Sequence, residues 1–154
     1  MAKKAAAPDP TIANNRKAFH DYNVIERFET GIKLTGTEVK SCRARAVQLN
    51  EGFAKIERNQ VLLYNVHIAA YEHGNRFNHN VKQTRKLLMH KKEILKLQQW
   101  LGTKGGTLIP LRFYFKGGLI KVELAYCQGK THADQRETMR KRETEKDMRR
   151  AMMK

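Results

Sequence analysis

Apolar and polar positions nearly alternate through the first regular stretch of the chain. His20, Tyr22, Val24, Glu26 and Phe28 fall on one side, and Phe19, Asp21, Asn23, Ile25 and Arg27 on the other. Neither side is cleanly apolar, which predicts a strand from about Asn15 that twists from core to surface. Glu29-Thr30-Gly31 supplies turn chemistry and Ile32 with Leu34 resumes the alternation, so a first hairpin is expected. Thr35 and Glu38 have capping-box spacing, which predicts a short helix through Val39, Cys42 and Arg43. A second hairpin follows, Phe53 to Glu57 and Val61 to Ile68 about Arg58-Asn59-Gln60, with Leu62, Tyr64, Val66 and Ile68 on one face.

From Tyr71 to Thr84 periodicity is lost, and a long loop is expected. Arg85 to His90 reads as a strand. Ile94, Leu97 and Leu101 then follow at helical spacing, with Gly102 as the stop. Thr107 to Lys116 places Ile109, Leu111, Phe113 and Phe115 on one face, Gly117-Gly118 makes a two-residue turn, and Ile120, Val122, Leu124 and Tyr126 return. Six or seven short strands with two or three short helices predict a mainly β fold. An antiparallel sheet closed into a small barrel would leave no exposed edges. The expected organisation is a disordered basic leader at 1–14, a β-barrel domain at 15–128 and a basic tail at 129–154.

Charge makes the partner class specific. The 154 residues carry 31 Lys and Arg against 15 Asp and Glu, a net charge of +16 that favours phosphate backbones. No signal-like leader, membrane-length apolar run, amphipathic membrane helix or lipidation motif occurs, so a cytoplasmic protein that does not bind membranes is expected. Cys42 and Cys127 are far apart and outside any CxxC pattern, which predicts small buried thiols rather than a zinc site or a disulfide. His67, His73, His79 and His90 with Glu72 and Asp21 match no ligand spacing, and no nucleophile-base pair or Gly-rich phosphate loop occurs. Neither catalysis nor a cofactor or metal is implied; a nuclease using the histidine-rich loop is the enzymatic alternative.

Basic residues interleaved with rings are the better lead. They are Arg16, Lys17, Phe19, His20 and Tyr22, then Arg76, Phe77, Lys82, Arg85, Lys86 and His90, then Arg112 and Tyr114. Cations meet phosphates while rings stack on unpaired bases. The tail from Gly129 to Lys154 is mostly charged with basic residues in excess, and is expected to be disordered when free. From Asp134 onward, with Arg140, Lys141 and Arg142, good helix formers predict a helix that folds on an RNA surface.

Three stretches resemble a known family: NRKAFHDYNVIERFETGIKLTGTEVKSCR at Asn15 to Arg43, RKLLMHKKEI at Arg85 to Ile94, and GK…D.RE at Gly129 to Glu137. Together they are similar to the SsrA-binding protein family, also called small protein B, over nearly the whole chain after residue 14. The resemblance implies an oligonucleotide-binding-like β-barrel that holds the tRNA-like domain of transfer-messenger RNA. It implies delivery of that RNA to stalled ribosomes, with the tail in the empty decoding centre of 16S rRNA and the mRNA channel. A monomer without enzymatic activity is expected; another small basic protein bound to ribosomal RNA is the alternative.

By position, the resemblance assigns RNA binding to Glu29, Leu88 and His90, with Arg16, Lys17, His20, Lys40 and Arg85 as neighbours. It assigns tagging to Gly129, Lys130, Asp134 and Arg136, with His132 as a substitute for the ring that normally precedes the aspartate. This chain departs from the family pattern at Ala133 and Gln135, at Arg45 where glycine is usual, and at Val81 and Gln83, where proline and arginine are usual.

Overall fold

The structure is a computed structural model that describes residues 10–72, 78–130 and 132–152, without the side chains of residues 132–135 and 138. The chain runs β1 (Thr11–Asn14), α1 (Arg16–Asp21), β2 (Tyr22–Ile32), α2 (Gly36–Arg43), β3 (Val47–Gln48), β4 (Phe53–Glu57) and β5 (Gln60–Tyr64). It continues with β6 (His67–Ile68), β7 (Arg85–Leu88), α3 (Lys91–Lys104), β8 (Thr107–Lys116), β9 (Leu119–Gly129) and α4 (His132–Met152). The mainly β expectation holds. Nine strands and four helices among the described residues exceed the expected count, because β1, β3 and β6 are too short to show a period.

Six strands form a hydrogen-bonded ring in the order β8-β4-β5-β7-β2-β9 and back to β8, and β1 adds to the free part of the β8 edge. Thr11 to Asn14 therefore do not belong to a disordered leader: Ile12 is buried, and Asn14 registers with Arg112. Residues 1–9 of that leader lie outside the described residues.

The first strand does not begin at Asn15. The Asn15 side chain accepts from the Ala18 amide at 3.1 Å and caps α1, while its own amide donates to Pro110 O at 2.9 Å and Leu49 O at 3.3 Å. One buried side chain thus satisfies a helix end, one carbonyl of β8 and one loop carbonyl, and the near-alternation of Phe19 to Asp21 is helical. The expected first hairpin is absent as well. β2 runs unbroken through Gly31, which registers with both Lys121 and Leu88. A Cβ at Gly31 would stand 3.2 Å from the Leu88 Cβ, so this glycine serves a close approach between strands rather than a turn.

Two other facings differ from expectation. In β5 the buried residues are Val61 and Leu63, while Leu62 and Tyr64 are half-buried. Asn65, at φ 58°, then shifts the alternation by one, so that Val66 and Ile68 rejoin the core. In β8 an irregularity between Pro110 and Arg112 divides the predicted face. Phe113 and Phe115 pack with the main core, whereas Ile109 and Leu111 join Ala18, Ala125 and Cys127 in a smaller cluster under α1.

The Thr35 capping box is present, with the Glu38 amide donating to Thr35 Oγ1 at 3.4 Å and the Thr35 amide to Glu38 Oε1 at 3.0 Å. Gly102 lies inside α3, which ends instead at Gly105 with φ 68°. Gly117 and Gly118, at φ 56° and 76°, form the closing turn of the β8–β9 hairpin.

Candidate nucleic-acid interface

Strand β7 alternates strictly, and its two faces have different fates. Lys86 and Leu88 point out, while Arg85 and Leu87 point in. Arg85 is therefore not a surface contact. Its guanidinium pairs with the buried carboxylate of Glu38 and donates to Val66 O at 2.7 Å and Val81 O at 3.1 Å. Burial pushes the Glu38 pKa up, but hydrogen bonds from the Thr35 amide and Arg85 outweigh that and hold its carboxyl below the ordinary value of 4.5. Gln83 joins the same cluster, donating to Glu38 Oε1 at 2.9 Å. Arg85, expected as an RNA-facing cation, is thus part of a buried tie between α2 and the strand ring, with Gln83 beside it.

Leu88 is 52% exposed, an unusual position for a leucine opposite a glycine. Its neighbours are the β8–β9 hairpin tip and the start of α2. Ile32, Leu34, Val39, Leu88 and Leu119 line an apolar groove of about 250 Å³, with Lys121 on its rim. Glu29 stands two residues before Gly31 on the same strand and faces outward. Hydrogen bonds from Lys116 and Tyr114 hold the Glu29 carboxyl below the ordinary value of 4.5, and Lys116 Nζ meets both oxygens at 2.9 Å. Burial and the bond to Glu29 in turn push the Tyr114 hydroxyl up to about 12, so it donates at any working pH.

The structure brings Glu29, Lys86 and Leu88 together at one end of β2. It adds Lys116, Leu119 and Lys121, which sequence reasoning did not pick as site residues. The only signal was their position around the Gly117-Gly118 turn. Arg16, Lys17 and His20 sit at the opposite end of β2, exposed on α1. At about 3.3 Å per residue, ten strand positions separate the two groups by roughly 30 Å. Lys40 stands exposed on the outer side of α2 with its ammonium 5.2 Å from the Tyr71 ring centroid, and His90 is the exposed N-cap residue of α3 without a side-chain capping bond.

Gly129 ends β9 opposite Tyr22, and Lys130 is anchored on α1. Its amide donates to Asp21 O and its Nζ to Phe19 O, both at 2.9 Å. Beyond it α4 exposes Arg136, Arg140, Lys141 and Arg142, with a Glu137 to Lys141 pair at 3.6 Å. His132 and Asp134 lie in its first turn, where the side chains are outside the described set. So are Arg76, Phe77 and His73 of the long loop. His79 contributes to structure: its ring nitrogens meet Thr37 Oγ1 at 2.9 Å and Ile68 O at 2.8 Å. Among the described residues no three His, Cys, Asp or Glu side chains converge on a possible metal position. No helix among them is long and apolar enough to cross a membrane.

A strongly basic, mainly β chain that displays cations beside rings is of the class that binds nucleic acid. More particularly, the chain belongs to the SmpB protein family, whose model matches residues 12–154. It is 53% identical over 154 residues to an SsrA-binding protein of Levilactobacillus brevis, covering 99% of this chain and 98% of the relative. To an SsrA-binding protein of Carboxydothermus hydrogenoformans it is 52% identical over 141 residues, covering 92% and 95%. Among solved structures, a chain described under "tmRNA-SmpB: a journey to the center of the bacterial ribosome" matches at TM-score 0.66 and 42% identity. That match covers 85% of this chain and 95% of the other.

Proposed function

We propose that this protein binds the tRNA-like domain of transfer-messenger RNA and delivers it to stalled ribosomes for trans-translation. The observation that carries this reading is the near full-length family match, joined to a likeness with a chain solved in a tmRNA-SmpB setting. The ring of strands is read as an oligonucleotide-binding-like barrel. Its outer face around Glu29, Lys86 and Leu88 takes the RNA, with His90, Lys40 and the α1 residues Arg16, Lys17 and His20 as flanking contacts. The tail from Gly129, with Lys130, His132, Asp134, Arg136, Arg140, Lys141 and Arg142, enters the decoding centre and mRNA channel. There it keeps the helix α4 that it forms in this structure, where its charge pattern alone predicted a disordered free tail. The protein acts in the cytoplasm as a monomer and as an adaptor, not an enzyme.

The test is sequencing of RNA that copurifies with the full chain and with a chain ending at Lys130. Transfer-messenger RNA is expected in both preparations, and ribosomal RNA only with the full chain. Ribosomal RNA retained after a high-salt wash, without transfer-messenger RNA, would instead identify a resident ribosomal protein.

A further inference from the structure

Three outward-facing side chains share one rung across the β8, β9 and β2 sheet. Arg112 registers with Glu123, and Glu123 with Glu29. Two carboxylates side by side on neighbouring strands repel each other, and here both are held by cations. Glu123 accepts from Arg27 Nη1 at 3.2 Å, and its other oxygen lies 3.5 Å from Arg112 Nε. Glu29 holds Lys116 on both oxygens at 2.9 Å. Rings brace the guanidiniums from the side: Arg112 stands 4.3 Å from the Tyr114 centroid and Arg27 5.5 Å from that of Phe19.

The exposures are ordered. Glu123 is 20% exposed, whereas Arg112, Arg27 and Lys116 are 36%, 55% and 62% exposed. The Glu123 carboxylate thus lies beneath the two guanidiniums it binds. Each guanidinium has five N–H donors and the ammonium three, more than these carboxylates engage. Three cations against two carboxylates also leave one surplus positive charge.

We propose that Arg27, Arg112 and Lys116 form a row of RNA-phosphate contacts, with Glu123 and Glu29 as positioning residues that hold the cations in line. This rests on the RNA-binding reading above and extends its surface from the Leu88 groove along β2 towards α1. Guanidiniums restrained by a neighbouring ring and a shared carboxylate meet phosphate oxygens with little further loss of freedom. A carboxylate in an RNA-binding face is then no contradiction, because it acts through the cation it orders.

The test is the affinity of the full chain for the tRNA-like domain of transfer-messenger RNA across a salt series. Arg27→Ala, Arg112→Ala and Lys116→Ala are each expected to weaken binding several-fold and to flatten the log-log salt slope by about 0.9. Glu29→Gln and Glu123→Gln decide the positioning role by sign. A carboxylate that merely repels phosphate would, once neutralised, tighten binding. A positioning carboxylate gives weaker binding and a shallower slope, and Glu29→Gln adds nothing to Lys116→Ala. Tighter binding by either Gln variant, unchanged slopes in the Ala variants, or additive losses in the double variant would overturn the row. Arg112→Lys, which keeps charge but loses the planar fork, should restore the slope without restoring full affinity. Thermal unfolding of each variant separates a lost contact from a lost fold. Failure of the unaltered chain to bind this RNA would sink the reading beneath; normal binding with indifferent variants sinks the row alone.

Discussion

Arg85 and Glu38 face each other in the interior, each side chain only 1% exposed, although both belong to a chain with a large excess of positive charge. A charge taken out of water is tolerated only when it is paired and fully hydrogen-bonded. Arg85 meets this with Glu38 and loop carbonyls, and Glu38 with Arg85, Thr35 and Gln83. Removing one partner strands the other. Arg85→Ala is expected to cost about 3–5 kcal/mol of stability, read by urea unfolding. An apolar pair replacing both residues should cost much less.

The same carboxylate makes stability depend on pH. Its folded pKa lies below the ordinary value of 4.5, so its contribution is fully present above that pH and is lost as pH falls through the lowered value. Acid unfolding of the native chain should show this loss below pH 4.5. Glu38→Gln should be less stable at neutral pH and have a flatter acid limb.

Both thiols should be inert in the folded protein. Burial pushes Cys42 up to about 12 and Cys127 up to about 11, and both are inaccessible. A thiol reagent at neutral pH is expected to label neither residue until denaturant is added, when both react. Fast labelling of the native chain would contradict the burial.

Lys86 and Leu88 share an exposed face but should fail differently. Lys86→Ala is expected to weaken RNA binding and flatten the salt slope by about 0.9, as for one lost phosphate contact. Leu88→Ala is expected to weaken binding at every salt concentration with the slope unchanged, since it releases no counterion. Filter binding across a salt series distinguishes the two.

Truncation after Lys130 should leave the fold intact, because the described side chains of α4 are all exposed. Thermal unfolding and affinity for transfer-messenger RNA are expected to stay close to those of the full chain, while peptide tagging in a reconstituted system is abolished. Truncation before Lys130 removes its two hydrogen bonds to α1 and should also lower stability.

Local chemistry was legible in the sequence where one motif determines one structure. The Thr35 to Glu38 box and the Gly117-Gly118 turn form as their residues require. Long-range partners were not legible. Nothing near Gly31 says that Leu88 will lie against it, and so a strand glycine read as a turn. Arg85 read as a surface cation because its carboxylate lies 47 residues away, on α2. Asn15 carried a usable signal, a capping residue three positions before Ala18, but the surrounding near-alternation masked it. Arg45 is the converse case. Its φ of 60° is the conformation that suits the glycine usual in the family, and its guanidinium donates to Thr11 O across the gap.

The two bonds from Lys130 to α1 have a geometric consequence. They fix the point from which the rest of the chain departs, on the short helix that also displays Arg16, Lys17 and His20. Twenty-one helical residues beyond it span about 30 Å at about 1.5 Å per residue. Whatever docks on α1 therefore also sets the origin of that reach, much as a hinge bolted to a door frame decides where the door can swing.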